Sequence, residues 1–496
     1  MKKVIIVGAG VSGLAAGVYA QRSGFDVTIC EQHSIPGGMC TSWRRKGYLF
    51  EGAVHWLTGS SPKTALYQVW KETGALNDDV KIFLPEIFRS VEWDGQIISL
   101  FRDIGKTVER LAELSPPDKK QLLRLEKEVR AFSSMQMPVF DIKGVKARNP
   151  KRMTMGSLLK IAPAFPLLGR LGKMSCMDYA RQFEHPGIQF LIGSIIPESY
   201  SAVSLIATLS TLDIGDGGYP EGGSLAIADR MAKTFTGLGG KLLLNTRVKK
   251  VNIENGKAAG VTLDDRILAA DAVIVTLETI AAARLFEKPL PDPWLADLCQ
   301  NTKSAACTFI GIGVRAEISQ SPIPVWKFDE PVSYAGAAVT ENGFGFCNYF
   351  GFEGYAPEGC TAVTTALIGD TYDFWKKARD EGRYEEEKSR LADQIKKIFC
   401  KKFPQAEGNI EVIDIATPLT YERYTGAYHG SWMTVSGPGE KMKRYPGFSQ
   451  SVSGLYFAGH RLMSPGGLPV AVFTGRTAAQ MVCRQFDAVF ESVETF

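Results

Sequence analysis

The sequence predicts an α/β fold in which one parallel unit is assembled from distant parts of the chain, and three observations carry that prediction. The first is the stretch Val4-Ile5-Ile6-Val7, Gly8-Ala9-Gly10-Val11-Ser12-Gly13, Leu14 to Ala20 and Asp26 to Cys30, closed by Glu31. β-branched residues, glycines, an alanine-rich helical run and a second apolar strand ending in an acid make a β-α-β unit of the Rossmann-like GxGxxG type. The second is Asp271-Ala272-Val273-Ile274-Val275-Thr276, whose unbroken apolar run reads as a parallel strand buried on both faces. The third lies at the far end: an apolar strand entering Gly459, a glycine-rich loop, and a small-residue helix from Val472 to Val482.

Each residue of the first stretch has a mechanical reason. Gly8 permits the tight turn out of the strand, Gly10 lets a pyrophosphate approach the backbone, and Gly13 lets the helix pack close. Val11 and Ser12 open the helix, whose N-terminus offers unpaired N–H groups and a partial positive charge to phosphates. Glu31 falls where a carboxylate ends strand two, about 20 residues beyond the glycines, and would accept ribose hydroxyls. It would repel a 2′-phosphate, so the ligand is a dinucleotide of the FAD or NAD type. Gly17 adds a small residue on the helix face that lies on the strands. Lys2-Lys3 and the following apolar run also mimic a secretory signal peptide, but cleavage would remove the strand and glycines that give Glu31 a purpose. The N-terminus is expected to be retained, and the protein cytoplasmic rather than secreted.

Composition narrows the classes. A chain of 496 residues, 45% hydrophobic and 22% charged, is long enough for two soluble domains. A net charge of +4 is too small for a nucleic-acid binder, and no run of about 18 apolar residues predicts a membrane span. The nine cysteines include no CxxC pair and are read as reduced thiols. His33, His55, His185, His429 and His460 show no metal-ligand spacing, so no zinc site is expected.

After Glu31 and Gln32 come Pro36-Gly37-Gly38-Met39, then Arg44-Arg45, Gly47, Phe50-Glu51-Gly52 and His55-Trp56. Paired glycines here let the backbone run beside an extended cofactor. This segment resembles the second fingerprint of the amine-oxidase-like flavoproteins, in particular the branch of phytoene desaturases, carotenoid isomerases and retinol saturases. The resemblance implies FAD as cofactor. Many members carry Arg after the glycine pair where this chain has Met39, which makes Arg45 a candidate substitute for the pyrophosphate contact. Pro220-Glu221-Gly222-Gly223 matches the family turn that returns from the substrate domain to the flavin domain, and the resemblance puts the adenine against the backbone of Val248. Gly459, His460, Gly467, Leu468, Pro469 and Val470 match the strand-loop-helix that closes the FAD site, with His460 where most members have Asp or Glu.

Between these fingerprints the sequence predicts a helix over Leu57 to Gly74, a hairpin over Val91 to Leu100 turning at Asp94-Gly95, and helices from Val108 to Phe132 parted at Pro116-Pro117. Met153 to Leu171 is apolar with positive charges only. Two readings fit it: a monotopic patch contacting the membrane surface, placing the protein peripherally on its inner face, or a lid over an apolar cavity. Ser201 to Leu212 reads as a buried helix, and Leu225 to Leu238 as another. Strands are expected over Cys307 to Val314, Val332 to Val339, Phe344 to Phe350, Ala362 to Ile368 and Ile410 to Ala416, with a charged helix from Tyr372 to Phe403. Tyr421, Tyr424 and Trp432 resemble the family segment over the flavin; packing at the domain boundary is the alternative. The resulting division is a discontinuous FAD-binding domain (1–75, 216–290, 431–496) and an inserted α+β substrate domain (76–215 with the helical apolar insert, 291–430 with a mixed sheet).

Gly237-Leu238-Gly239-Gly240 precedes a strand and Gly311-Ile312-Gly313 lies inside one, so no second nicotinamide domain is expected. Electrons would pass to or from oxygen, a quinone or a redox protein. The resemblance and the greasy insert together imply a flavoenzyme acting on carbon–carbon bonds of a long unsaturated apolar substrate (carotenoid, retinoid or other isoprenoid) by desaturation, saturation or cis–trans isomerisation. His55 is the candidate catalytic residue, a neutral imidazole able to pass a proton at physiological pH, and loop orientation is its alternative role. A flavin amine oxidase would need more acid than Asp178, Glu184 and Glu198 provide in the insert. A prenyl-binding chaperone of the GDP-dissociation-inhibitor type would have no use for Gly8, Gly10, Gly13 and Glu31.

Overall fold

The computed structural model describes residues 1–54, 56–135, 137–152, 156, 162–197, 200–318, 324–326, 332–335, 337–339, 344–434 and 437–493. His55, most of 153–161, and Glu198 lie outside the described residues.

At the centre is a five-stranded sheet drawn from three parts of the chain. Its order is Lys241–Leu243, β2 (Asp26–Cys30), β1 (Lys3–Val7), Ala272–Val275 and Leu455–Phe457. All neighbours run parallel, Val4 pairing with both Val27 and Ala272, and Val273 with Leu455. The strands are Val/Ile-rich because helices cover one face and an antiparallel three-stranded sheet (Lys250–Glu254, Lys257–Thr262, Ile267–Ala269) packs on the other. Helix α1 (Val11–Arg22) is buried over Val11 to Ala20. It lies between the helix Gly223–Gly237 and the long terminal helix Leu468–Gln485. Small residues set these contacts. A Cβ on Gly17 would come within 2.7 Å of Ile29 and 3.1 Å of Phe235, and one on Gly475 within 2.3 Å of the Ser12 carbonyl.

A second region stacks an antiparallel sheet against helices. Ser304–Val314 pairs with Thr361–Ile368 on one side and Ile410–Ala416 on the other, and the helices Tyr372–Asp380 and Tyr384–Lys402 cover one face. The other face carries Gly311 and Gly313, where added Cβ atoms would meet the rings of Phe50 at 2.4 Å and Tyr48 at 2.5 Å. These strand glycines therefore leave room for the hairpin Ser42–Arg45/Tyr48–Glu51 to dock. A third region joins the hairpin Ile87–Trp93/Gln96–Phe101 to a helical layer spanning Ile104 to Asp213. No described helix is long and apolar enough to cross a membrane.

Several expected elements differ in extent. Only Ala65–Glu72 of the stretch 57–74 is helical, because the Asp216 carboxylate accepts the N–H of Gly59 and Ser61 and the Ser60 hydroxyl and holds that stretch as a turn. The Val332–Val339 strand is a hairpin, Val332–Tyr334 and Ala337–Val339, folding back after Ala335 at φ 53°. Phe344–Phe350 contains two short strands, Phe344–Gly345 and Cys347–Asn348, that pair in different sheets. The charged helix over 372–403 breaks at Gly382, whose φ of 74° is left-handed. Pro418–Thr425 is a helix, opened by a Thr417/Thr420 capping box with Pro418 at its first position. The terminal helix begins at Leu468, four residues before Val472, with Pro469 in its first turn.

Candidate functional site

The carboxyl ends of the central strands face a cavity of about 1930 Å³. Ligand pockets commonly run to about 1,000 Å³, so this one has room for two molecules side by side. It is continuous from the loops after the parallel strands to the helical layer, where Trp56, Ile195, Ile196, Tyr200, Val203 and Ala207 line it.

The first loop is shaped as its glycines suggested. Gly8 adopts φ 104°, and the N–H of Gly37 donates to the Ala9 carbonyl at 2.8 Å, so the two glycine-rich segments run together as a parallel bridge at Gly10 and Gly37. A Cβ on Gly13 would sit 2.0 Å from the Gly8 carbonyl oxygen, so this glycine permits packing rather than facing the cavity. Gly10 is the opposite case. Its nearest neighbour to an added Cβ is the Gly37 carbonyl at 3.8 Å, so the space before it is open to a ligand.

Of the residues singled out by sequence, all except Gly13 among the candidate cofactor-binding set line this one cavity: Gly8, Gly10, Val11, Ser12, Glu31, Gln32, Gly37, Gly38, Met39, Arg45, Val248, Gly459, His460, Gly467, Leu468, Pro469 and Val470. They arrive from positions more than 400 residues apart because β1 and Leu455–Phe457 end on the same edge of one sheet. Glu31 is buried, and its two carboxylate oxygens accept from the N–H groups of Ala9 at 2.7 Å and His33 at 2.8 Å. Met39 packs against Tyr421, Phe309 and Ala416 with Trp43 and Trp432, surroundings suited to an apolar side chain rather than the Arg found in many family members. Arg45 is paired with Asp414 at 3.4 Å, and that carboxylate also accepts the Trp43 indole N–H at 2.6 Å.

Gly467, at φ 89°, caps the terminal helix without any side chain, leaving its first N–H groups toward the cavity wall formed by Leu468, Pro469 and Val470. The Nδ1 of His460 is sealed and makes no hydrogen bond. Burial, and secondarily the Arg461 charge, push its imidazole down to about 3, so the ring is neutral at ordinary pH. The open space at Gly10, the uncapped helix ends and this idle ring nitrogen together fit an extended, anionic, hydrogen-bonding cofactor.

Three features were not expected from sequence. Thr276 donates its hydroxyl to the Val7 and Gly8 carbonyls at 2.9 and 3.1 Å and so fixes the turn around the first glycine. Glu278 and Arg461 form a buried ion pair across the cavity floor at 2.5 Å. Arg89, on the strand Ile87–Trp93, lines the apolar part of the cavity. Arg461 directly follows the His460 fingerprint, which was a usable signal; Arg89 stands in a run of apolar and small residues that gave none. The lining thiols Cys30 and Cys347 are pushed up by burial to about 11 and are not thiolates at neutral pH. Tyr421 is buried and donates to the Gly52 carbonyl at 3.3 Å, while Tyr424 is exposed and edges the His33 ring. Of the insert, Phe165–Leu171 is helical, with Leu168 lining the cavity, Arg170 paired to Glu128 and Phe165 54% exposed.

The sequence family described as flavin-containing amine oxidoreductase matches residues 11–483. A 1-hydroxycarotenoid 3,4-desaturase of Flavobacterium sp. is 23% identical over 97% of this chain and 99% of its own length. A lycopene-forming phytoene desaturase of Paracoccus sp. is 28% identical over 55% of this chain and 54% of its own, so the match spans about half of that relative. A chloroplastic prolycopene isomerase of Daucus carota is 21% identical over 96% of this chain and 79% of its own. Among solved structures, an oxidoreductase from Methanosarcina mazei superposes with a TM-score of 0.59 at 19% identity, covering 97% of this chain and 99% of that one. Cyclohexylamine oxidase from Brevibacterium oxydans gives a TM-score of 0.61 at 15% identity, covering 98% and 99%. At these identities the structural likeness speaks for the fold alone.

Proposed function

Because this chain belongs to the flavin-containing amine oxidoreductases and is accordingly an FAD-dependent oxidoreductase, we propose that its substrate is a long, apolar, unsaturated molecule of the carotenoid, retinoid or other isoprenoid type. The reaction would be desaturation, saturation or cis–trans isomerisation of carbon–carbon bonds. The observation that carries this reading is the cavity itself: about 1930 Å³, continuous from the glycine loops to a wall of aliphatic and aromatic side chains. The match to carotenoid desaturases and isomerases along the chain supports it. An amine substrate finds little to recognise its charge. Asp178 is exposed and caps its own helix, Glu184 is exposed, the lining acids Glu31, Asp216, Glu278 and Asp414 are each engaged by protein groups, and the remaining lining acids Glu385 and Glu440 pair with Lys388 and Lys303.

In this reading the central unit is a Rossmann-like FAD-binding domain. Gly8 and Gly10 with the first turn of α1 hold the pyrophosphate, Glu31 the ribose, and the backbone of Val248 the adenine. His460 and the helix end at Gly467 to Val470 hold the flavin end, with Met39, Tyr421 and Trp432 as its apolar surroundings. Bound FAD supplies hydride acceptance or donation at the substrate carbon. The chain supplies position and dryness: Ile195, Ile196 and Val203 exclude water, and the helix Phe165–Leu171 covers the cavity from outside through Leu168. His55 is proposed to relay a proton. With no second dinucleotide unit, oxygen, a quinone or a redox protein exchanges electrons with the cofactor.

The test is anaerobic. Photoreduced and oxidised holoenzyme are each incubated with phytoene, a cis-carotenoid and a retinoid, and products are separated by chromatography. A product two hydrogens richer or poorer, or a changed double-bond geometry, is expected from at least one. Inert polyenes combined with flavin reduction by a primary amine would overturn the reading.

A further inference from the structure

Arg89 is a cation with almost nothing to hold. It stands on Ile87–Trp93 beside Phe88, whose ring is buried against Trp56. Its Nη1 donates to the Ser194 carbonyl, its Nε is sealed without an acceptor, and no described carboxylate pairs with it. The remaining nitrogen, Nη2, makes no bond among the described residues and is not sealed, and the residue lines the cavity beside Trp56, Ile195, Ile196, Tyr200 and Cys347. Arg102, which also neighbours Tyr219, is different: it donates to the Pro85, Asp216 and Gly217 carbonyls. Arg461, a buried cation of the same cavity wall, has Glu278.

A guanidinium stays charged at any biological pH, and placing it against hydrocarbon without an anion is costly. Water can serve it while the cavity is wet. Once an apolar chain fills the cavity that water leaves, and the cost of unpaired N–H groups falls on the complex unless the ligand brings its own acceptor. Resting on the apolar-substrate reading above, we infer that the substrate carries a carboxylate at one end and that Arg89 is the specificity residue that holds it. A lone guanidinium suits a planar monoanion, which it can take through two parallel N–H donors. A diphosphate would call for further cations, and none acts on Arg89 among the described residues.

The experiment uses a matched pair of probes, all-trans-retinoic acid and all-trans-retinol, titrated into FAD-loaded enzyme and read by the perturbation of the flavin spectrum. Wild type is expected to bind the acid at least ~10-fold more tightly than the alcohol, about 1.4 kcal/mol. Arg89→Met should erase that preference with flavin content and affinity for the alcohol unchanged, and Arg89→Lys should keep part of it. Equal binding of acid and alcohol by wild type overturns the inference, and does so even if the Met variant fails to fold. Preference persisting in a folded Arg89→Met overturns it as well. If neither probe nor a hydrocarbon carotene binds, the apolar-substrate reading falls along with it; if the alcohol and carotene bind without preference for the acid, only the role of Arg89 falls.

Discussion

Arg461 and Glu278 meet at 2.5 Å with side chains 1% and 6% exposed, one on the loop after Leu455–Phe457, the other on the loop after Ala272–Val275. The same carboxylate accepts the N–H groups of Ile280, Ala281 and Tyr428, and Arg461 also reaches the Ser431 hydroxyl. One ion pair thus ties together two strand ends and the aromatic segment. Removing one partner leaves a buried charge uncompensated, which typically costs about 3–5 kcal/mol. Glu278→Ala should therefore lower the chemical-denaturation midpoint strongly, and Glu278→Ala with Arg461→Met should lose less than the two single changes added together.

Gly10 and Gly13 separate ligand binding from folding. An added Cβ is 2.0 Å from the Gly8 carbonyl at Gly13 but meets nothing closer than 3.8 Å at Gly10. Gly10→Ala should leave the thermal midpoint of flavin-free protein unchanged while weakening FAD binding at least ~10-fold, or about 1.4 kcal/mol. Gly13→Ala should lower the midpoint in the absence of FAD. Equal loss of stability in both would refute the distinction.

His460 sets a pH dependence. Its folded value of about 3 lies below the ordinary histidine value of 6.5, so between them the unfolded chain binds a proton that the folded one does not. Stability should fall as pH drops from about 6.5 toward 3, by at most about 1.4 kcal/mol per pH unit from this residue. Denaturant titrations of flavin-free His460→Asn should show a shallower decline over that window than wild type.

His55→Gln is expected to retain normal flavin content and to lose ~10²-fold or more in turnover with the polyene substrate, the usual scale for a proton-transfer residue. Unchanged turnover would assign His55 to loop orientation instead.

Local rules made the glycine loops that line the cavity legible, and with them several turns elsewhere. Gly8 needed a left-handed turn, Gly17 needed to lie close against the strands, and the hairpin at Asp94-Gly95 announced itself through residues that tolerate positive φ. The pairing of Arg461 with Glu278 was illegible because partners so far apart meet only after the sheet is assembled. Arg89 was illegible for a related reason: a single arginine in an apolar strand has meaning only once the cavity beside it exists. The turn at Gly59 to Ser61 was likewise set from outside, by Asp216. The helix Pro418–Thr425 did carry a local signal, Pro418 following a threonine cap, which its tyrosines and threonines obscured.

The order of the central sheet also governs when the enzyme can first exist. Its strands at positions 3–7 and 26–30 are made well before their partner Ala272–Val275, and Leu455–Phe457 follows later still. At roughly 5–20 residues per second the early strands wait on the order of tens of seconds with an open edge. On the proposed assignment FAD cannot meet its complete site during that interval, because the loop of Gly459 and His460 follows later in the chain. On the proposed assignment, full FAD affinity therefore waits for the strand Leu455–Phe457 and the loop after it, and the free FAD present once they have folded decides how much of the protein becomes enzyme.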